Sequence, residues 1–128
     1  MRADLDSALV RDFPLLYADR SAPMTQTCMC WGFPGDGWEP LLRRLSEKLE
    51  PLIAALPEGE YGRPRASQVK EKFGTLRFYM SSETAEMSAA IREAEEESAR
   101  TCEVCGAPGK TRGGGWIETL CGGCARPA

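Results

Sequence analysis

Six cysteines and no histidine set what metal or thiol chemistry this chain can do. Cys102 with Cys105, and Cys121 with Cys124, form two C-x-x-C pairs separated by the fifteen residues 106 to 120. Two residues between cysteines let one tight turn aim both sulfurs at one ion, and two such turns supply the tetrahedral thiolate set that zinc accepts. The spacing predicts one structural zinc ion per chain, held by sulfur alone. A closed four-cysteine site leaves no position for a catalytic water. No serine, cysteine or carboxylate elsewhere has an activating neighbour in sequence, so no catalytic residue is assigned and a non-enzymatic role is expected.

The bulk composition fits one globular domain with a small metal-bound appendage: 128 residues, 42% hydrophobic and 27% charged. The opening Met1-Arg2-Ala3-Asp4-Leu5-Asp6 has acids where a signal peptide needs an apolar core, and no apolar run approaches membrane-spanning length. A cytoplasmic setting with reduced thiols is expected, which favours metal over disulfides. A net charge of -3 argues against a general nucleic-acid coat.

Periodicity suggests the elements that position the cysteines. Residues 3 to 12 read as a short helix that Pro14 helps to end. From Thr27 to Phe33 the chain alternates as a buried strand does, with Met29, Trp31 and Phe33 on one face and Cys28 and Cys30 on the other. Asp36 is placed to cap a helix, with Glu39 completing a capping box. Leu41, Leu42, Leu45, Leu49, Leu52, Ile53 and Leu56 then recur at helical spacing over residues 37 to 56, where Pro51 should kink or split the helix. Residues 66 to 80 are extended and broken at Gly74. A bulge there puts Val69, Glu71, Phe73, Leu76 and Phe78 on one face, and a tight turn at Gly74-Thr75 makes a hairpin instead. Ser81 or Ser82 opens a second long helix whose Met87, Ala90, Ile91, Ala94 and Ser98 form a small-residue stripe. Lys110 to Arg112 and Trp116 to Leu120 flank three glycines as a hairpin does. The expected class is α+β: a small sheet packed with two main helices over residues 1 to 100, then a four-cysteine zinc ribbon over residues 101 to 128, joined to the last helix without a linker.

Three further groups bear on function. The segment 61 to 80 carries Arg63, Arg65, Lys70, Lys72 and Arg77 against Glu71 alone, interleaved with aromatics. Displayed together, Lys70, Lys72, Arg77 and Tyr79 suit an acidic protein surface or single-stranded nucleic acid. The same cations can instead pair internally with the acidic helix 83 to 100, whose net charge is -4. Lys110, Arg112 and Trp116 beside the glycine tip are candidate partner contacts, while Trp116, Ile117 and Leu120 are the only apolar bulk of the ribbon. Its side chains over residues 100 to 128 total +2, which four thiolates on one Zn²⁺ cancel, so the ribbon is a poor DNA grip. Cys28 and Cys30 have poor disulfide geometry at i, i+2 and read as small buried hydrophobes.

Cys30-Trp31-Gly32-Phe33, Gly35-Asp36-Gly37-Trp38, Arg43-Arg44-Leu45-Ser46-Glu47-Lys48-Leu49-Glu50, the run from Gln68 to Tyr79, and Thr101-Cys102-Glu103-Val104-Cys105-Gly106 resemble a family of small bacteriophage and prophage proteins. The resemblance implies a phage accessory protein in a bacterial host cell, one that binds a host or anti-phage defence protein as inhibitors of the anti-CRISPR kind do. A nucleic-acid-binding module built on residues 61 to 80 is the alternative.

Overall fold

Trp38 is fully buried between the first long helix and the cysteine-bearing end of the chain, and the elements are arranged around that junction. The computed structural model describes residues 1–125, so Arg126 lies outside the described residues. In order come α1 (Ala3–Asp12), α2 (Glu39–Ala54), β1 (Ala66–Lys72), β2 (Thr75–Met80), α3 (Ala85–Ser98), β3 (Lys110–Arg112) and β4 (Glu118–Leu120). Two antiparallel pairs, β1–β2 and β3–β4, make two separate two-stranded sheets. This is the expected α+β class. Among the described residues no helix is long and apolar enough to cross a membrane.

The leucine stripe of α2 forms the core as its spacing demands: Leu41, Leu42, Leu45, Leu49 and Ile53 are buried against Met87, Ile91 and Ala94 of α3 and Val69, Leu76 and Phe78 of the hairpin. Each such side chain contributes about 1.5 to 3 kcal/mol by leaving water. Pro51 does not split α2. It is exposed and lies in the last turn, where its missing N–H removes only one bond to the carbonyl one turn back. Asp36 does not cap α2 either. It sits in a 3-10 turn, Asp36–Trp38, and its carboxylate accepts the Arg2 N–H at 2.7 Å.

The expected strand over residues 27 to 33 is a 3-10 turn, Met29–Trp31. Met29 and Phe33 are buried, but Trp31 is 71% exposed, Cys28 is exposed and Cys30 is half-buried. Alternation misled here because Gly32, at φ 81, reverses the chain within the run. Cys28 reaches the β1 edge only through its N–H, which donates to the Ser67 carbonyl at 3.0 Å.

Between Lys72 and Thr75 the chain makes a two-residue turn, Phe73-Gly74, with both φ values positive (53 and 83). Such a turn matches the twist of the strands it joins. The hairpin therefore replaces the bulge, and the turn lies one residue earlier than Gly74-Thr75. Phe73 sits at the tip, 64% exposed, instead of in the core. A bulge does occur in β1, between Ala66 and Gln68. The Thr84 hydroxyl, rather than Ser81 or Ser82, caps α3 by accepting the Met87 N–H.

Gly37 is where the core meets the cysteine loop. Its N–H donates to the Glu103 carbonyl at 2.7 Å, and a Cβ there would lie 2.1 Å from the Cys102 carbonyl oxygen and 2.6 Å from the Gly106 nitrogen. Only a residue without a side chain permits that approach. Gly37→Ala is expected to lower unfolding stability by about 3 kcal/mol in denaturant titration, because backbone on both sides must move. The control Gly114→Ala, whose Cβ would meet nothing within 4 Å, should change stability by less than about 0.5 kcal/mol.

Candidate metal centre

Each C-x-x-C pair is folded by its own backbone. In the first, Cys102 N–H donates to Ala107 O at 2.8 Å and Gly106 N–H donates to Cys102 O at 2.9 Å. In the second, the N–H groups of Cys124 and Ala125 both donate to Cys121 O, at 3.3 and 3.0 Å. The β3–β4 hairpin spans the gap, pairing Lys110 with Leu120 and Arg112 with Glu118, and so returns the second turn to the first.

The four Sγ atoms of Cys102, Cys105, Cys121 and Cys124 lie within 4.8 Å of one another, with Cys105 and Cys121 at 3.6 Å. A tetrahedral ion with sulfur ligands at about 2.3 Å holds its sulfurs about 3.8 Å apart, so the cluster fits a metal. It does not fit a disulfide, whose sulfurs stand about 2.05 Å apart. Burial opposes the Cys102 thiolate, but hydrogen bonds from the backbone of Cys121, Cys105 and Val104 together outweigh it and bring the thiol down to about 6. Hydrogen bonding to Cys121 and Cys105 pushes Cys124 up to about 12. Four sulfurs this close do not all ionise unaided, and a bound cation would supply the charge that makes them all ligands.

The cage is fastened at two places. Glu103 takes the Gly35 N–H on its carboxylate at 3.0 Å, and the Trp38 indole donates to Thr101 O at 2.8 Å. At the other end the buried Thr119 hydroxyl donates to Gly74 O at 2.6 Å, and Gly74 packs against Ile117 and Glu118. The tip of the β1–β2 hairpin thus rests on the β3–β4 hairpin between the two cysteine turns.

That contact brings the tips of the two hairpins together. Lys70, Lys72, Arg77 and Tyr79 alternate away from the buried Val69, Leu76 and Phe78 and share the outer face of β1–β2, with Lys70 directly opposite Arg77. Trp116 is 71% exposed at the glycine tip, outside the ribbon core, where Leu120 is buried and Ile117 half-buried. Lys110 is exposed on β3, and Arg112 turns back so that its Nε donates to Leu120 O at 3.0 Å. Phe73, Glu71, Trp116, Ile117 and the two tip glycines line a shallow cleft of about 330 Å³. Phe73 and Glu71 were not legible as part of it. Glu71 keeps the face of Val69 and Leu76 that the sequence suggested, and its carboxylate there accepts the Gly74 N–H. The signal that finds both is the Phe-Gly pair centred between residues that pair across the turn.

The cations do not pair with the acidic helix. Glu93 and Glu97 of α3 meet Lys48 and Arg44 of α2, while Glu95 accepts the Phe78 N–H. Among the described residues, Lys70, Lys72 and Arg77 have no carboxylate within 4 Å. Lys70 lies over the Tyr79 ring at 6.0 Å and Lys72 over the Phe73 ring at 5.6 Å.

No family model, curated protein or solved structure matches the chain. Protein purified without added metal is expected to carry about one ion per chain by elemental analysis. Cys105→Ser should remove it and loosen residues 101 to 125 while the helical circular dichroism of α2 and α3 persists. Metal-free protein with four freely reacting thiols in this cluster would refute the centre.

Proposed function

We propose that this chain is a non-catalytic phage or prophage accessory protein that binds a bacterial host or anti-phage defence protein in the cytoplasm, in the manner of anti-CRISPR inhibitors. The ion is zinc and its role is structural: four thiolates suit a soft, tetrahedral, redox-inert cation, and a closed set offers substrate no position. The observation that carries the proposal is the shared surface of the two hairpin tips. Phe73 and Trp116 stand exposed on one cleft, with Lys72 over the Phe73 ring, at a place where a buried hydrogen bond from Thr119 fixes one hairpin against the other. Aromatic and cationic groups held on rigid elements are the composition of a protein-binding patch. The resemblance to small phage proteins supplies the setting.

The basic face also supports the alternative, a nucleic-acid-binding module using residues 61 to 80, because cations beside exposed rings suit stacked bases. The chain's charge of -3 weighs against it. The test is affinity capture from bacterial lysate with wild type and with Phe73→Ala/Trp116→Ala as baits. Wild type should retain a discrete protein that the double variant loses, with both baits equally folded and metal-loaded. Recovery of nucleic acid alone, or of no protein sensitive to the double variant, would sink the proposal.

A further inference from the structure

Phe73 occupies a position that disfavours it. It is the first residue of the two-residue turn between β1 and β2, at φ 53, and among the described residues no other side-chain-bearing residue has a positive φ. That region is uncommon for a bulky residue, and turns of this kind favour asparagine or aspartate there. The ring gains little from burial in return, being 64% exposed. Backbone strain without a packing reward marks a group kept for what it meets outside the chain.

What Phe73 lines is a cleft with one charge. Trp116, 71% exposed, lines it too, and among the described residues neither ring packs against another ring. A Cβ on Gly114 or Gly115 would meet nothing within 4 Å, so the tip leaves the cleft open. Glu71 is its charged residue. The Glu71 Oε2 accepts the Gly74 N–H at 2.6 Å, which fixes the carboxylate and leaves Oε1 open among the described residues. No cation among those residues lies within 4 Å of it. Lys70, Lys72 and Arg77 share the opposite face of the hairpin and do not line the cleft. Lys72 covers one face of the Phe73 ring at 5.6 Å, which leaves the other face to an incoming group.

We propose that the cleft receives an arginine side chain of the partner protein, its guanidinium against the Phe73 and Trp116 rings and paired with Glu71. This rests on the reading of the cleft as a protein-binding surface and names the side chain it takes. Rings attract a cation through their quadrupoles, and the carboxylate adds its full charge. Guanidinium fits better than ammonium because it is planar, weakly hydrated and able to stack on a ring while it forks onto a carboxylate. An acidic segment or a phosphate strand would set like charge against Glu71 with no cation in the cleft to offset it. A purely apolar side chain would cover the carboxylate and leave it unpaired.

Phe73→Asn separates binding from folding. Asparagine suits the left-handed turn position, so the thermal midpoint should hold or rise while the ring is lost. Glu71→Gln removes the charge and keeps a carbonyl for the Gly74 N–H. A displayed library of random peptides of about twelve residues is panned on the metal-loaded full chain, and the selected peptides are measured by fluorescence anisotropy. They are expected to share one arginine, whose replacement by citrulline, neutral and nearly isosteric, weakens binding by about tenfold. Phe73→Asn, Trp116→Ala and Glu71→Gln should each weaken the arginine peptide by a similar factor, and in Glu71→Gln the citrulline change should have little further effect. Lys70→Glu, on the opposite face, should leave the affinity within about twofold or raise it. Peptides that need Phe73 and Trp116 yet tolerate citrulline and Glu71→Gln would overturn the arginine and leave the protein-binding surface standing. Peptides that bind more tightly with lysine than with arginine would do the same. Peptides weakened by Lys70→Glu alone would move the interaction to the basic face and overturn cleft and occupant together, as would the absence of any peptide sensitive to Trp116→Ala.

Discussion

Everything at the cysteine-bearing end depends on a backbone touching a backbone. Gly37 lets the turn from Cys102 to Gly106 approach until its amide donates to the Glu103 carbonyl with no side chain between them. The contact sits at the start of α2, the helix that carries most of the core, and the Trp38 indole ties the same place to Thr101. A loop poor in apolar residues thereby gains the rigidity of the main core. The two cysteine turns organise that loop internally, and Gly37 decides where it stands.

A second regularity is how polar backbone is satisfied away from the regular ladders. Glu50 of α2 accepts the N–H groups of Leu15 and Leu16. Ser98 and Glu95 of α3 accept those of Leu76 and Phe78, and Thr119 donates to Gly74 O. In each case a side chain far along the sequence finishes a turn or strand that has no neighbour of its own. Leaving such a group unpaired in a buried place costs about 1 to 3 kcal/mol. Several charged residues that look like surface decoration in the sequence are thus fastenings between elements.

That explains what could be read without coordinates. The two long helices were legible because their apolar residues repeat at the period of the element, and the cysteines because metal geometry dictates local spacing. The turn at Met29–Trp31 was not, since apolar alternation over seven residues resembles a strand until one glycine reverses direction. Asp36 has the chemistry of a cap but spends its carboxylate on the Arg2 amide, a partner that no local pattern suggests. Phe73 and Trp116 are far apart in sequence, and what brings them to one cleft is the bond between Thr119 and Gly74, forty-five positions apart.

The pairing of α3 with the outer edge of β2 bears on how the molecule behaves in a crowded solution. A lone two-stranded sheet normally has two open rows of amides, each a template on which another chain can add a strand. Here the Ser98 hydroxyl and the Glu95 carboxylate occupy the Leu76 and Phe78 amides, so that row is closed to strand addition. On the other side, Cys28 and Thr27 both hold the Ser67 carbonyl, obstructing the start of β1. The hairpin can therefore expose the Tyr79 ring on its outer face while its β2 edge offers no open row of amides on which a further strand could add.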